Sequence, residues 1–296
     1  MTTPYRSMNA YLKERFGERV QKVSLDAGFT CPNRDGTKAV GGCIYCNNES
    51  FNFSPDTSVK EQLALGIEKA RRRYGAKKFI AYYQAYSNTY GSPEFLYDTY
   101  STIYDFPEVV GISIGTRPDC VPDAVLEVVQ QFAATHEVWL EYGLESSSDE
   151  SLRRLNRAHT YSDFVDAVQR TAGRGIRIGS HIITGLPWET EEQMLQTARD
   201  IASLPVDGIK VHNLHIVKGT AMEILHRREP YGLLTLEHYA KIAARILAIL
   251  PPDMIIMRLT AECPDDLLIA PDWTNQKSEI LSAIHAELRT LCPGGL

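Results

Sequence analysis

Three of the chain's six cysteines fall within sixteen residues, at Cys31, Cys43 and Cys46 in CPNRDGTKAVGGCIYC. In a reducing compartment, cysteines clustered this way bind metal in preference to forming disulfides. Two kinds of centre suit three thiolates. Structural zinc takes four ligands in a tetrahedron, so a zinc knot would need a histidine or a distant cysteine (Cys120, Cys263 or Cys292) to complete it. A [4Fe–4S] cluster on three cysteines instead leaves one iron without a protein ligand, free to bind a substrate or cofactor. Gly41 and Gly42 suit a loop that wraps closely around a compact cluster, because glycine adopts backbone conformations that other residues resist. Tyr45, between the last two cysteines, would lie close to whatever occupies an open iron.

The elements that must position this loop follow a regular rhythm. Short β-branched runs at 20–25, 78–86, 109–115, 137–142, 176–184, 208–217 and 254–260 predict strands. Longer amphipathic stretches at about 57–74, 93–104, 122–135, 149–173, 189–204, 236–250 and 274–291 predict helices between them. Alternation of this kind implies a parallel sheet with right-handed crossovers, and its repetition predicts a partial or near-complete (β/α) barrel of the TIM type. No linker divides the 296 residues, so one domain is expected: an N-terminal extension and first strand over 1–30, the cysteine loop over 31–46 and a C-terminal extension closing the barrel from about 235. Each predicted strand ends in a polar, glycine- or proline-marked turn. In a parallel barrel these turns share the C-terminal face, where such folds keep their chemistry, and the cysteine loop follows the first strand onto that face.

Composition narrows the class. A hydrophobic fraction of 44% and a charged fraction of 23% are ordinary for a globular protein. No apolar run approaches the roughly 20 residues that cross a bilayer, and the start of the chain lacks the apolar stretch of a secretory signal. A cytoplasmic enzyme with no membrane contact is therefore expected. The net charge of −6 carries no global footprint for nucleic acid. The basic stretch from Lys69 to Lys78 reads either as a solvated helix end or as a phosphate contact.

The segment SLDAGFTCPNRDGTKAVGGCIYCN resembles the radical S-adenosylmethionine (SAM) superfamily. More narrowly, it resembles the YhcC/YtqA-like group related to the radical domain of the Elongator catalytic subunit. The likeness extends along nearly the whole chain through AYYQAYSNTY, ISIGTRPDC, EYGLESSSDESLRRLNRAHT, IITGLPWET, IKVHNLHIVKGT and RLTAECPDDLLIAPDWTNQK. The eleven residues between Cys31 and Cys43 exceed the interval commonest in the superfamily and match this subgroup. The resemblance implies a [4Fe–4S] cluster held by Cys31, Cys43 and Cys46, and SAM bound at its open iron and reductively cleaved to a 5′-deoxyadenosyl radical. An electron donor such as flavodoxin or ferredoxin is implied with it.

The resemblance also suggests which residues hold the cofactor. Arg157 matches an arginine that binds the SAM carboxylate, a task a guanidinium fork suits; the other reading is a surface helix arginine, as taken for Arg153 and Arg154. Glu145 matches a ribose contact, although it could equally cap the following helix. Ser87, Asn88 and Thr89 stand where the superfamily binds the SAM amino group, often through a Gly-Gly-Glu sequence that this chain lacks, so an ordinary turn is the alternative. Ile183 belongs to the segment whose backbone flanks adenine, and His181 points to the same region if strand alternation holds.

In 210–218, period two places Lys210, His212, Leu214, Ile216 and Lys218 on one face and Val211, Asn213, His215 and Val217 on the other. Polar groups on a barrel strand are costly to bury unless paired or used. His212, His215, Lys218 and Arg258 are accordingly candidates for the substrate side, with Arg117 and Asp119 beside them, against a purely structural polar network. Cys263 is read as a buried, inert thiol.

For substrate, the resemblance points to tRNA, with modification of a wobble-uridine side chain as the expected reaction. A radical enzyme acting on a small molecule, and a non-catalytic iron–sulfur or zinc protein, are the alternatives.

Overall fold

The computed structural model describes residues 4–47 and 57–292; the extreme ends of the expected domain lie outside these. Through the described residues run the strands β1 (Val20–Leu25), β2 (Lys78–Tyr83), β3 (Val109–Thr116), β4 (Glu137–Glu145), β5 (Arg177–Thr184), β6 (Gly208–Asn213), β7 (Ile216–Val217), β8 (Ile255–Arg258) and β9 (Leu268–Ala270). Seven form one sheet in the order β1-β2-β3-β4-β5-β6-β8, with every pair parallel. Strands four apart in a flat sheet would be separated by about 19 Å. Yet Lys210 Nζ on β6 donates to Tyr82 Oη on β2 at 2.8 Å, so the sheet curls into a half-barrel.

Alternation sets the two faces. Val138, Leu140 and Tyr142 of β4 point outward into the main core, as do Phe79, Ala81 and Tyr83 of β2 and Ile209 and Val211 of β6. There they meet the helices α2 (Val59–Tyr74), α3 (Pro93–Ser101), α4 (Asp123–Ala133), α6 (Tyr161–Thr171), α7 (Glu191–Ala202) and α9 (Leu236–Ile249). The opposite residues, among them Tyr82, Glu141 and Lys210, face the barrel interior.

Helix α1 (Met8–Phe16), unmarked in the sequence reading, closes the lower end. Ser7 bridges to Ile256 beside β8, and Met8, Tyr11 and Leu12 pack on Val20, Ile80, Trp139 and Ile255 near the starts of their strands. Helix α1 thus covers the amino ends of the strands, and the cysteine loop lies at their carboxyl ends.

Four further departures from the sequence reading matter. The expected helix over 149–173 is two helices, α5 (Asp149–Arg154) and α6, and between them Asn156 (φ 53°) and Ala158 (φ 55°) take left-handed backbone. The expected strand over 208–217 breaks at Leu214 and His215 into β6 and β7, and β7 leaves the barrel to pair antiparallel with β9. Strand β2 stops at Tyr83, three residues short of expectation, and Tyr86 turns at φ 62°. Helix α8 (Ala221–Arg228), unmarked in the sequence reading, follows β7, whereas α10 (Lys277–Leu291) forms where expected and packs on α9.

Candidate functional site

The cysteine loop is fastened to the break between α5 and α6. Ile44 N–H donates to Leu155 O at 3.0 Å, and Asn156 Nδ2 donates to Val40 O and Gly42 O at 3.1 and 2.8 Å. Gly41 and Gly42 have φ of 82° and 75°, the left-handed backbone for which glycine has little steric cost. The two left-handed residues around Arg157 turn its side chain inward, where it is 7% exposed. Its Nη1 donates to Cys43 Sγ at 3.5 Å and its Nη2 to Gly143 O, and Glu145 Oε1 lies 3.5 Å away. Arg117 is also buried and holds Asp119 through two 2.9 Å bonds. Burial would raise the Asp119 carboxyl, but Arg117 and Lys38 outweigh it and hold it at about 2.

Cys31, Cys43 and Cys46, none of them in a disulfide, line one cavity of about 250 Å³. Burial, with the neighbouring Cys43, pushes the Cys46 thiol up to about 12; a thiolate there calls for the positive charge of a metal centre. Among the described residues no three cysteine, histidine or carboxylate side chains converge as the ligands of a single ion do. Three thiolates leave a structural tetrahedral zinc one ligand short and suit a four-iron cluster, which takes three and keeps one iron open. The wall also carries buried donors with no partner among the described residues, Arg117 Nη1 and Arg157 Nε. Unpaired buried donors are costly, and a cofactor carboxylate would satisfy them.

Tyr45, Ser87, Glu145, His181, Ile183, His212, His215 and Arg258 share this wall with the cysteines, Arg117 and Arg157. Asn88 and Thr89 do not. Asn88 Nδ2 donates to Gly115 O at 2.8 Å, and Thr89 Oγ1 bonds Thr116 Oγ1 and donates to Cys120 O, both at 2.6 Å, so these two brace the turn from behind. Lys218 is exposed and away from the cavity. The strand break is the reason: beyond it the backbone joins the β9 side, with Lys218 N–H donating to Leu267 O at 2.8 Å. The same break brings Asn213, His215 and Val217 onto the wall with His212 and Leu214, against the two-face expectation. Burial raises Glu145, though Arg157 opposes this, and it pushes His215 down.

Deeper in the barrel is a charged layer that the sequence reading missed. Glu141 is fully buried; it accepts from Lys22 Nζ at 2.7 Å and from Lys210 and Ser113, and it bonds His181 Nε2 at 2.8 Å. Burial and Lys210 draw His181 down to about 4, and burial, opposed by Glu141, brings Lys210 to about 7. A glutamate in the middle of the apolar-flanked run Val138-Trp139-Leu140-Glu141-Tyr142 was the available signal.

The family model described as the radical SAM superfamily matches residues 31–201, and the model of the radical SAM C-terminal domain matches residues 206–290. The chain belongs to the radical SAM superfamily. It is similar to the uncharacterized protein YtqA of Bacillus subtilis, 39% identical over 96% of this chain and 89% of that one. It is also similar to protein YhcC of Escherichia coli, 39% identical over 90% of this chain and 86% of that one. Among solved structures it superposes on the archaeal Elp3 of Methanocaldococcus infernus with a TM-score of 0.70 at 16% identity, covering 92% of this chain and 63% of the other. That likeness shows the shared fold. Membership of the radical SAM superfamily implies a [4Fe–4S] cluster and SAM, and the donor set around the cavity fits both. No helix among the described residues is long and apolar enough to cross a membrane.

Proposed function

We propose that this chain works as one radical SAM domain that cleaves SAM in order to modify a tRNA wobble-uridine side chain. The observation that carries the reading is a single cavity holding the three cysteines, the unpaired donors of Arg117 and Arg157, and the polar residues of the barrel interior. When bound, the cluster and SAM supply a one-electron cleavage that yields a 5′-deoxyadenosyl radical.

The protein's own residues bind and orient. Cys31, Cys43 and Cys46 hold the cluster. Arg157, with Nε unpaired, takes the SAM carboxylate, and Glu145 takes the ribose hydroxyls. The turn at Ser87 receives the amino group, with Asn88 and Thr89 stiffening it, and the backbone at Ile183 flanks adenine. His181, His212, His215 and Arg258 line the space left for substrate; Lys218 has no part in it. The closed lower end, packed with Met8, Tyr11 and Leu12, keeps water from entering behind the reacting groups.

The tRNA assignment is supported by the likeness to the Elongator catalytic subunit and by Arg34 and Arg258, two cations on the cavity wall. The basic stretch from Lys69 to Lys78 runs into the start of β2, at the opposite end of the barrel from that wall. It is left out of the proposed contact. A cytoplasmic setting and a flavodoxin or ferredoxin as reductant complete the reading.

The test is 5′-deoxyadenosine release by anaerobically reconstituted, reduced protein with and without unmodified tRNA. Turnover that rises with tRNA and leaves a changed uridine supports the assignment. Turnover indifferent to tRNA but raised by a fraction of small metabolites assigns the enzyme to a small molecule.

A further inference from the structure

Three side chains donate to the cysteine sulfurs, Arg157 and Ser87 from the cavity wall and Asn33 from behind it. Asn33 is fully buried, and its Nδ2 lies 3.4 Å from Cys43 Sγ. The same Nδ2 donates to Asn156 O, which orients the amide, and Gly42 N–H donates to the backbone carbonyl of Asn33 at 2.8 Å, which holds its main chain. Arg157 Nη1 reaches Cys43 Sγ at 3.5 Å, and Ser87 Oγ donates to Cys31 Sγ at 3.7 Å. Cys43 thus accepts from both a neutral amide and a buried cation.

A cluster that gains an electron becomes more negative, and part of that charge sits on its sulfurs. A donor aimed at a ligating sulfur therefore stabilises the reduced form more than the oxidised form and raises the reduction potential. Burial strengthens the effect, because water does not screen it.

Resting on the radical SAM reading, we propose that Asn33 and Ser87 are positioning residues that raise the cluster's reduction potential through hydrogen bonds to Cys43 and Cys31. Asn33 carries the larger share, being the closer donor and fully buried. Arg157 adds a full charge at the same sulfur, so removing it would not isolate a hydrogen bond; because the turn at Ser87 takes the SAM amino group in the same reading, the titration is run without SAM.

The experiment is a potentiometric titration of the loaded full-length protein, followed by the electron paramagnetic resonance signal of the reduced cluster, with iron and sulfide content measured in parallel. Asn33→Leu keeps the branched shape and the number of side-chain heavy atoms and removes the donor. It should load normally and titrate at a more negative potential by about tenfold in the reduction equilibrium, or about 59 mV for one electron. Ser87→Ala should shift the same way by less. Loaded variants that both titrate with wild type overturn the proposal. If Asn33→Leu fails to take up a cluster, Ser87→Ala decides alone, and an unchanged potential there overturns it. A wild-type protein that takes up no iron or sulfide overturns the radical SAM reading itself, and the proposal with it.

Discussion

Gly143 and Arg157 fit together only because residue 143 has no side chain. The Arg157 guanidinium donates to the Gly143 carbonyl, and a Cβ built on Gly143 would lie 2.5 Å from Arg157 Nη2 and 2.7 Å from Glu145 Oε1. A methyl group at 143 must push both proposed SAM contacts aside. Gly143→Ala should therefore weaken SAM binding to the loaded protein at least about tenfold, while overpacking costs about 1–3 kcal/mol of stability. Equilibrium binding of SAM checks this, and wild-type affinity in the variant would remove Arg157 and Glu145 from the cofactor's contacts.

The charged layer inside the barrel is a structural commitment as well as a candidate substrate surface. Glu141 neutralises Lys210 and Lys22 where little water reaches, and removing one member of a buried ion pair leaves the other uncompensated. Glu141→Ala should cost about 3–5 kcal/mol in urea denaturation. A loss under about 1 kcal/mol would mean that water enters this layer freely.

His159 makes stability depend on pH. Its two ring nitrogens lie 3.2 Å from Gly143 O and Thr160 O, to one of which the neutral ring's single N–H donates, and burial, then Arg157 and Arg117, lower it from the ordinary 6.5 to about 3, with Asp119 opposing. Above pH 6.5 both folded and unfolded forms are neutral and the contribution is complete. As pH falls from 6.5 toward 3, the unfolded chain takes a proton that the folded chain refuses, and stability drops by up to about 1.4 kcal/mol per unit. His181 and His212, also lowered, act in the same direction. Between pH 7 and pH 5, His159→Gln should lose about 1–2 kcal/mol less than wild type in urea melts. Equal losses would show that His159 is protonated in the folded state.

Much of this arrangement was legible in the sequence because it is local. The seven barrel strands announced themselves by β-branched runs, and the cysteine spacing placed the loop after β1. Legibility failed where a position is decided by distant parts of the chain. Lys218 looked like a wall residue because alternation was carried through Leu214 and His215, where pairing of β7 with β9 ends it. Helix α1 is only nine residues long, and its position depends on Trp139 and the starts of distant strands that the curled sheet brings together. Glu141 and Lys22 lie 119 residues apart, and only curling of the sheet brings them together.

The measurement that bears most directly on the account is 5′-deoxyadenosine release from SAM by anaerobically reconstituted, reduced wild-type protein beside Cys43→Ala. The account predicts release by wild type and loss of release, with loss of cluster, in the variant. Wild-type protein with full iron and sulfide that releases none, or a Cys43→Ala variant that releases as much as wild type, would contradict it.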